Sequence, residues 1–404
     1  MEPKWLSPCI FYAMFCLSIL SSHVNCQTYV FNVNNYDEEV DIHQDFADKW
    51  KQACETSEGV FKVNPGTYLL SGSILFEGPC NGQTTVTIDG VLVASDEVTL
   101  PVDYWIRFQN VNGLTITGQG TLDGNGEKAW GHGPGAPTSL SLANVANVQI
   151  QDIKSVNSKM FHMKICDSQH VTVKHVTISA PADSTNTDGL HISRSSDINV
   201  IDSQISTGDD CISIGEGASN VNINGVFCGP GHGISIGSLG KVEGEQDVSS
   251  ITVTNCTLAD TTNGIRIKTF ASPISITAQD LTFQHVTMKN VENPIIINQH
   301  YCPEQKSCPK SNGESSVELK GVKFIDVQGS SATQVAVKLD CSGNKPCQSV
   351  QLDRVNLDFQ GQTTIAACSN VDPEFVESDQ VPSKCSEPAV TLDNNNRWMP
   401  QIRF

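Results

Sequence analysis

Short runs that alternate apolar and polar residues recur along the chain from about residue 85, and Asn, Asp or Gly residues separate them. Alternation with a period of two is typical of a β-strand with one buried face, and amphipathic helical patterns are nearly missing from this region. The runs start roughly every 20 to 35 residues, which favours a solenoid of parallel strands over a sandwich with closer hairpin turns. The clearest runs are Val148–Ile150, Val171–Val173, Ile198–Val200, Val221–Ile223, Ile251–Val253, Leu281–Phe283 and Val350–Leu352.

A second series of apolar residues indicates the register of the coils. In a parallel β-helix, residues at equivalent positions stack inside successive coils about 4.8 Å apart. Two such ladders follow at equal intervals, one formed by Leu190, Ile212 and Ile234 and the other by Ile192, Ile214 and Ile236. The sequence therefore predicts an all-β fold, a single-stranded parallel β-helix.

Both ends of such a solenoid need a cap, because an open end would expose apolar core and strand edges. Residues 45–55 place Phe46, Ala47, Trp50 and Ala53 at helical spacing and predict a short N-terminal capping helix. The segment beyond about Ser369 is expected to cover the other end. We interpret residues 27–404 as one β-helix domain.

The composition excludes some function classes. The chain has 404 residues, with 25 Lys plus Arg against 44 Asp plus Glu and a net charge of −19. A nucleic-acid partner is not expected, because a protein that neutralises phosphates needs a basic face. Charged residues are only 17% and hydrophobic residues 38% of the chain, a composition typical of a folded protein.

The first residues have the pattern of a secretory signal peptide. Lys4 precedes an apolar run from Trp5 to Leu20, and Val24 and Cys26 are small enough to precede a cleavage before Gln27. A retained membrane anchor is the alternative. No later stretch approaches the ~18 apolar residues that a spanning helix needs, so no membrane partner is expected. The predicted location is secreted, in the extracellular space or cell wall, with residues 1–26 removed.

Twelve cysteines remain after the leader, an even number that predicts disulfides in an oxidising compartment. Cys166 and Cys256 lie in strand-like contexts and are expected to be free buried thiols. The sequon Asn255-Cys256-Thr257 would leave Asn255 outward and usable for glycosylation. The expected pairs are Cys302 with Cys308, Cys341 with Cys347, Cys368 with Cys385, Cys54 with Cys80 and Cys211 with Cys228.

Polar clusters precede the in-register strands. Asp188, Asp210 and His232 are equally spaced, so they are expected at the same place on three successive coils. Adjacent Asp209 and Asp210 would face opposite ways in a regular strand, so both reach one cleft only if the backbone turns, which Gly208 permits.

Two cations are expected on the same wall. Arg266 and Lys268 alternate with Ile265 and Ile267, so an inward pair of isoleucines directs both cations outward. They are suited to pairing with the carboxylates of an anionic sugar.

Asp and Asn at coil corners often only form turns or hydrogen-bonded ladders. Three acids, a histidine and two cations in one register instead favour chemistry. Clustered carboxylates repel, so at least one pKa should rise and leave a protonated acid beside an ionised base. Hydrolysis of a glycosidic bond needs this combination.

The motifs themselves resemble a known family. Asn186-Thr187-Asp188-Gly189, Gly208-Asp209-Asp210-Cys211, Gly231-His232-Gly233 and Arg266-Ile267-Lys268 are similar to the four signatures of the polygalacturonases, which hydrolyse the galacturonan of pectin. The resemblance implies a right-handed β-helix and an inverting reaction without cofactor or metal. It assigns Asp209 as general acid, Asp188 with Asp210 as the groups that hold and deprotonate water, and His232 as support for the acid. Substrate binding would fall to Asn186, Arg266, Lys268 and Tyr301.

The sequence also indicates a mode of action. The expected Cys302–Cys308 loop follows Tyr301, and a stiff loop there would act as a barrier suited to an exo-acting enzyme. Residues 228–240 and 301–303 also resemble the plant pollen-type exo branch. The alternatives are an endo-acting polygalacturonase, a calcium-dependent pectate lyase and a non-catalytic β-helix that binds wall polysaccharide. We expect a monomer whose partner is the pectin polysaccharide.

Overall fold

The computed structural model describes residues 28–31, 42–131, 135–303, 313–386, 390–392 and 398–400. Within them the chain winds as a parallel β-helix, with one helix at Ile42–Glu55 and two long parallel sheets. The all-β prediction is confirmed. The predicted signal peptide, residues 1–26, lies outside the described residues, and the single domain at 27–404 stays a prediction.

One sheet, here called the front sheet, has twelve strands in the described part of the chain. Its registers pair Leu190 with Ile212, and Ile212 with Ile234, as the spacing predicted. Its strands are Ile74–Glu77, Tyr104–Gln109, Thr138–Ala143, Met163–Cys166, Leu190–Ser193, Ile212–Ile214, Ile234–Leu239, Asn263–Phe270, Asn293–Tyr301, Val335–Asp340, Ile365–Ser369 and Cys385–Ser386.

The other large sheet, the back sheet, contains two ladders that are joined by the long strands Thr277–Val291 and Glu318–Ser331. Besides these, the first ladder has Thr28–Phe31, Val60–Val63, Thr84–Ile88, Asn112–Thr117, Ala146–Gln151, Gln169–Lys174, Ser196–Ile201, Ser219–Asn224, Val248–Thr254, Gln348–Asp353 and Glu374–Phe375. The second has Thr67–Leu70, Val91–Ala94, Thr121–Asp123, Lys154–Val156, Thr177–Ser179, Gln204–Ser206, Phe227–Cys228, Thr257–Ala259, Asn356–Phe359 and Gln362–Thr363. Val390–Leu392 and Trp398–Pro400 form a separate antiparallel pair.

Tight corners between the sheets explain the frequent Asn and Asp residues. Asn110, Asn144 and Asp167 follow front-sheet strands and have φ values of 59°, 52° and 52°. Asn and Asp tolerate this left-handed conformation better than most residues. The Nδ2 atom of Asn144 donates to Oδ1 of Asn110 over 2.7 Å, so the corners also bond from coil to coil.

The predicted N-terminal cap is confirmed as the helix Ile42–Glu55. Phe46 and Trp50 are buried on the first coils, and Trp50 donates to the carbonyl oxygen of Glu77 over 3.0 Å. A disulfide between Cys54 and Cys80 ties the helix to the solenoid. At the other end, Cys385–Ser386 extends the front sheet.

Four of the five predicted disulfides are present, namely Cys54–Cys80, Cys211–Cys228, Cys341–Cys347 and Cys368–Cys385. The fifth predicted pair, Cys302–Cys308, stays a prediction because Cys308 lies outside the described residues. Cys166 and Cys256 are free and buried, as predicted, while Asn255 is exposed. Among the described residues no helix is long and apolar enough to cross a membrane.

Candidate active site

Three neighbouring front-sheet strands place Asp188, Asp210 and His232 at one edge of the sheet. Leu190, Ile212 and Ile234 pair in register, and each of the three polar residues lies two positions before one of them. The predicted equivalence of the three positions is therefore confirmed. Backbone bonds hold the alignment, since the Gly189 N–H donates to the Asp210 carbonyl over 2.9 Å. The three side chains therefore lie on successive coils.

A turn outside the strands brings Asp209 to the same place. A Cβ atom at Gly208 would lie 2.1 Å from the carbonyl oxygen of Ser184, so only glycine fits this close approach. One ligand atom each of Asp209, Asp210 and His232 lies within 4.8 Å of the others. The predicted backbone turn is therefore present, and both adjacent carboxylates reach the cleft.

Asp188 is buried and has one hydrogen bond to its carboxyl group in the described part of the chain. The donor is the hydroxyl of Ser213, whose Oγ lies 2.6 Å from Oδ2. Burial raises the pKa of Asp188 well above its usual range, and the negative charges of Asp209 and Asp210 raise it further. The raised pKa favours a protonated Asp188 in the free site.

Asp210 is buried in the front-sheet side of the site and is only 1% exposed. Its Oδ1 accepts from Ser235 over 2.7 Å, and its Oδ2 accepts from Nζ of Lys268 over 2.6 Å. Nη1 of Arg266 lies 3.8 Å from Oδ1 of Asp210. Burial is the largest influence on the pKa of Lys268 and would lower it, but the attraction of Asp210, together with smaller contributions from Tyr301 and Asp188, raises the pKa overall. Asp210 and Lys268 thus form a buried ion pair.

Asp209 and His232 form the exposed side of the group, with side chains that are 24% and 38% accessible. Nδ1 of His232 lies 2.9 Å from Oδ1 of Asp209. Burial alone would raise the pKa of Asp209, but the His232 hydrogen bond and the charge of Lys268 lower it. The raised pKa that the sequence predicted thus belongs to Asp188, not to Asp209.

The remaining predicted residues surround this centre. Tyr301 lies across both cations, its ring centroid 5.1 Å from Cζ of Arg266 and 5.4 Å from Nζ of Lys268. Asn186 is exposed, with a φ of 59° beside the buried Thr187. The structure therefore gathers the two cations and Tyr301 into one patch, here called the cation patch, and leaves Asn186 on the surface next to Asp188.

Sequence reasoning missed the serines that bind the carboxylates. Ser213 and Ser235 pair in register with each other, and Ser235 pairs with Arg266, so all three project from one face. A signal existed, because each serine stands between two buried isoleucines of the recognised ladders. The alternation that directs Arg266 outward also directs both serines outward.

Asp209, Asp210 and His232 are the one group within the described residues whose composition could suit a metal ion. The oxygens of Asp210 are already bonded to Ser235 and to the ammonium of Lys268. A divalent cation would lie against that ammonium, which is electrostatically unfavourable. The donor set therefore fits a metal poorly.

Fold and site together define the class of the protein. A β-helix wall with carboxyl groups of shifted pKa beside paired cations has the parts that a glycosidase needs for acid and base catalysis on a polysaccharide. The chain belongs to the glycosyl hydrolases family 28, whose sequence profile matches residues 54–385.

Relatives with printed names support this membership. A polygalacturonase of Prunus persica is 44% identical over 353 residues, which cover 83% of this chain and 87% of that protein. An exopolygalacturonase of Platanus acerifolia is 41% identical, covering 88% and 98%. Among solved structures, the endo-xylogalacturonan hydrolase of Aspergillus tubingensis has a TM-score of 0.77 at 20% identity, covering 90% of this chain and 99% of that one. The structural likeness shows the shared fold.

Proposed function

We propose that this enzyme hydrolyses the α-1,4-galacturonosyl bonds of pectin by a single displacement with inversion. The observation that carries the proposal is the cation patch directly beside the carboxylate group, since Arg266 and Lys268 both face Asp210. A galacturonan carries one carboxylate on each sugar, and a guanidinium paired with an ammonium is suited to bind it. The two relatives named above as polygalacturonases support the same substrate.

Asp188 is the proposed base. Its Ser213 bond engages Oδ2 and leaves Oδ1 without a partner among the described residues. Asp210, by contrast, is engaged at both oxygens. We therefore assign Asp188 to deprotonation of the water. Asp210 binds Lys268 and balances its positive charge. This narrows the shared role that the family resemblance implied for both residues.

Asp209 is the proposed general acid, and substrate binding supplies the reason for its protonation. In the free site, His232 and Lys268 keep the pKa of Asp209 low. A uronate that pairs with Lys268 removes part of that positive influence, and the bound sugar excludes water. Both changes raise the pKa of Asp209 and let it accept the proton that Asp188 gives up.

Exo action is the proposed mode. The exopolygalacturonase name of the Platanus relative supports it. So does the position of Tyr301, which lies over Arg266 and Lys268 and directly precedes Cys302, where the sequence predicts a disulfide loop. A loop at that end of the cleft would restrict binding to a chain end. We further propose a monomer that is secreted to the cell wall after cleavage before Gln27; the four disulfides are typical of an extracellular enzyme.

Product analysis on de-esterified polygalacturonate tests the reaction. We expect saturated reducing ends, the inverted anomer in the first product seen by NMR, and no change when a chelator is added. Unsaturated uronates or a need for calcium would identify a lyase instead. A protein that binds the polymer without producing new ends would be the non-catalytic alternative.

The mode of action needs a second measurement. Viscosity and reducing ends are followed together on the same polymer. Monomer release with a slow viscosity fall is the expected result, whereas a rapid fall at low bond cleavage would show an endo enzyme.

A further inference from the structure

His191 lies on the outer face of the front sheet, one coil before Ser213, and contacts it side by side. The two residues pair in register, and Nδ1 of His191 is 2.8 Å from Oγ of Ser213. The same Oγ lies 2.6 Å from Oδ2 of Asp188. A continuous chain of hydrogen bonds therefore runs from the imidazole through the serine to the carboxyl group.

The direction of the chain follows from the protons available. A serine hydroxyl has one hydrogen, and Asp188 in the ionised form that acts as the base can only accept it. The Ser213 oxygen must then accept from His191, so Nδ1 of the imidazole carries the hydrogen. Burial lowers the pKa of His191 to about 3, and the charges of Lys164, Lys268 and Arg194 act in the same direction. The ring is therefore a neutral donor.

Packing holds this ring in place. Phe161 stacks on it with centroids 4.9 Å apart and an interplanar angle of 23°. On another side, a Cβ atom at Gly215 would lie 3.3 Å from Cε1 of His191, so glycine leaves just enough room for the ring. A fixed ring gives the donated hydrogen a fixed direction.

We propose that His191 is a positioning residue of this enzyme, which holds the Ser213 hydroxyl so that its hydrogen is always directed at Asp188. The inference rests on the proposed function, in which Asp188 is the base. The requirement is greater for Asp188 than for Asp210, because Asp210 has Lys268 as well as a serine. A misdirected Ser213 would leave Asp188 with no hydrogen bond to its carboxyl group in the described part of the chain.

Two isosteric variants separate this role from simple packing. In His191→Asn the amide nitrogen takes the place of Nδ1 and can still donate to Ser213, whereas in His191→Gln it takes the place of Nε2. Losing the donor loosens the bond that stabilises ionised Asp188, so the pKa of Asp188 should rise. Because Asp188 holds the proton in the free site, we expect His191→Gln to move the alkaline limb of the kcat/KM profile upward by about one pH unit and to lower kcat about tenfold. His191→Asn should retain the wild-type profile, and KM should change little in both.

Other charged groups also face these residues, so controls are needed. Asp209, Asp210 and Lys268 act on Asp188 and stay unchanged in both variants. His162 is the matched control, because its Nδ1 also lies 2.8 Å from a serine oxygen, that of Ser155, but inside the core. His162→Asn should alter stability without moving the pH profile.

The outcomes distinguish a failure of the positioning role from a failure of the proposed function. Equal profiles for His191→Gln and His191→Asn would overturn the positioning role, as would an unreduced effect of His191→Gln in a Ser213→Ala background. Asp188→Asn is assayed alongside. If that variant keeps wild-type turnover, the proposed base is wrong; if it is inactive while both His191 variants resemble wild type, only the positioning role is wrong. Thermal unfolding of each variant confirms that folded protein is compared.

Discussion

The inner and outer faces of the same four front-sheet strands differ completely in composition. The inner face repeats one kind of residue, Leu190, Ile212, Ile234 and Ile265, and all four are buried. The outer face, one residue later in each strand, carries His191, Ser213, Ser235 and Arg266, which differ from coil to coil. Inside a solenoid, identical side chains stack well on successive coils, so the inner face repeats the same residue type. A catalytic surface instead needs different groups at fixed places.

Stability and chemistry are therefore separable in this fold, because alternation assigns neighbouring residues to different faces. Inner-face changes should act on the free energy of unfolding, and outer-face changes on catalysis. Asp210 with Lys268 is an exception, since it is a buried ion pair on the outer wall and a change to either residue leaves a buried charge unpaired.

Asp209→Asn should abolish most of the activity without changing stability. The amide keeps the shape of the acid but cannot deliver a proton, so kcat should fall by roughly 10² to 10⁴. The melting temperature should stay near the wild-type value, because Asp209 is on the accessible side of the site. Asp326→Asn, which removes a carboxylate paired with His285 on the back sheet, is the control. Near-wild-type turnover of the Asp209 variant would remove it from the acid role.

Lys268→Met should affect both stability and catalysis, because it leaves Asp210 as an unpaired buried charge. We expect a loss of about 3–5 kcal/mol in the free energy of unfolding, together with a higher KM for oligogalacturonides. Chemical denaturation measures the first effect and steady-state kinetics the second.

Two variants check the cause of that loss. Adding Asp210→Asn to Lys268→Met should recover part of the stability. Lys338→Met should cost about 1 kcal/mol or less, since the Lys338 amine contacts an amide oxygen of Asn293 at 3.4 Å rather than a buried carboxylate. Equal losses for both lysine variants would show that apolar packing, not charge pairing, is responsible.

Ile212→Val tests the role of the inner face. Removing one methylene group from the fully buried ladder should cost about 0.5–1.5 kcal/mol. The kcat/KM of the folded enzyme should stay unchanged, although Ser213 is the next residue. A clear kinetic defect without a stability loss would contradict the separation of the two faces.

His300 provides the smallest effect, a pH-dependent one at the rim. Its Nδ1 lies 3.1 Å from Asp340, its Nε2 lies 3.6 Å from Glu314, and chiefly the Asp340 bond raises its pKa above 6.5. The protonated form is thus favoured in the folded state, and its stabilisation is complete below pH 6.5 and lost as pH rises through the raised value. The difference in melting temperature between wild type and His300→Gln should shrink as pH rises from about 5.5 to 8.5. A difference that is constant over this range would exclude the ion pair as its cause.

Much of the fold could be read from the sequence. A parallel β-helix repeats its local environment on every coil, so Ile212 and Ile234 reveal the register by equal spacing alone. The same spacing located Asp188, Asp210 and His232 on successive coils, and the cysteine spacings identified the four disulfides now observed. These properties follow from local alternation and from short or regular separations along the chain.

Only the tertiary structure decided which carboxyl group has the raised pKa. That pKa depends on burial and on charges that reach Asp188 from Asp209, Asp210 and Lys268, which lie on other coils. It also decided that Ser213 serves Asp188 and is itself contacted by His191. A sequence pattern gives the face on which a side chain lies, but hydrogen-bond partners and desolvation depend on distances of a few ångströms between coils, which only the folded chain defines.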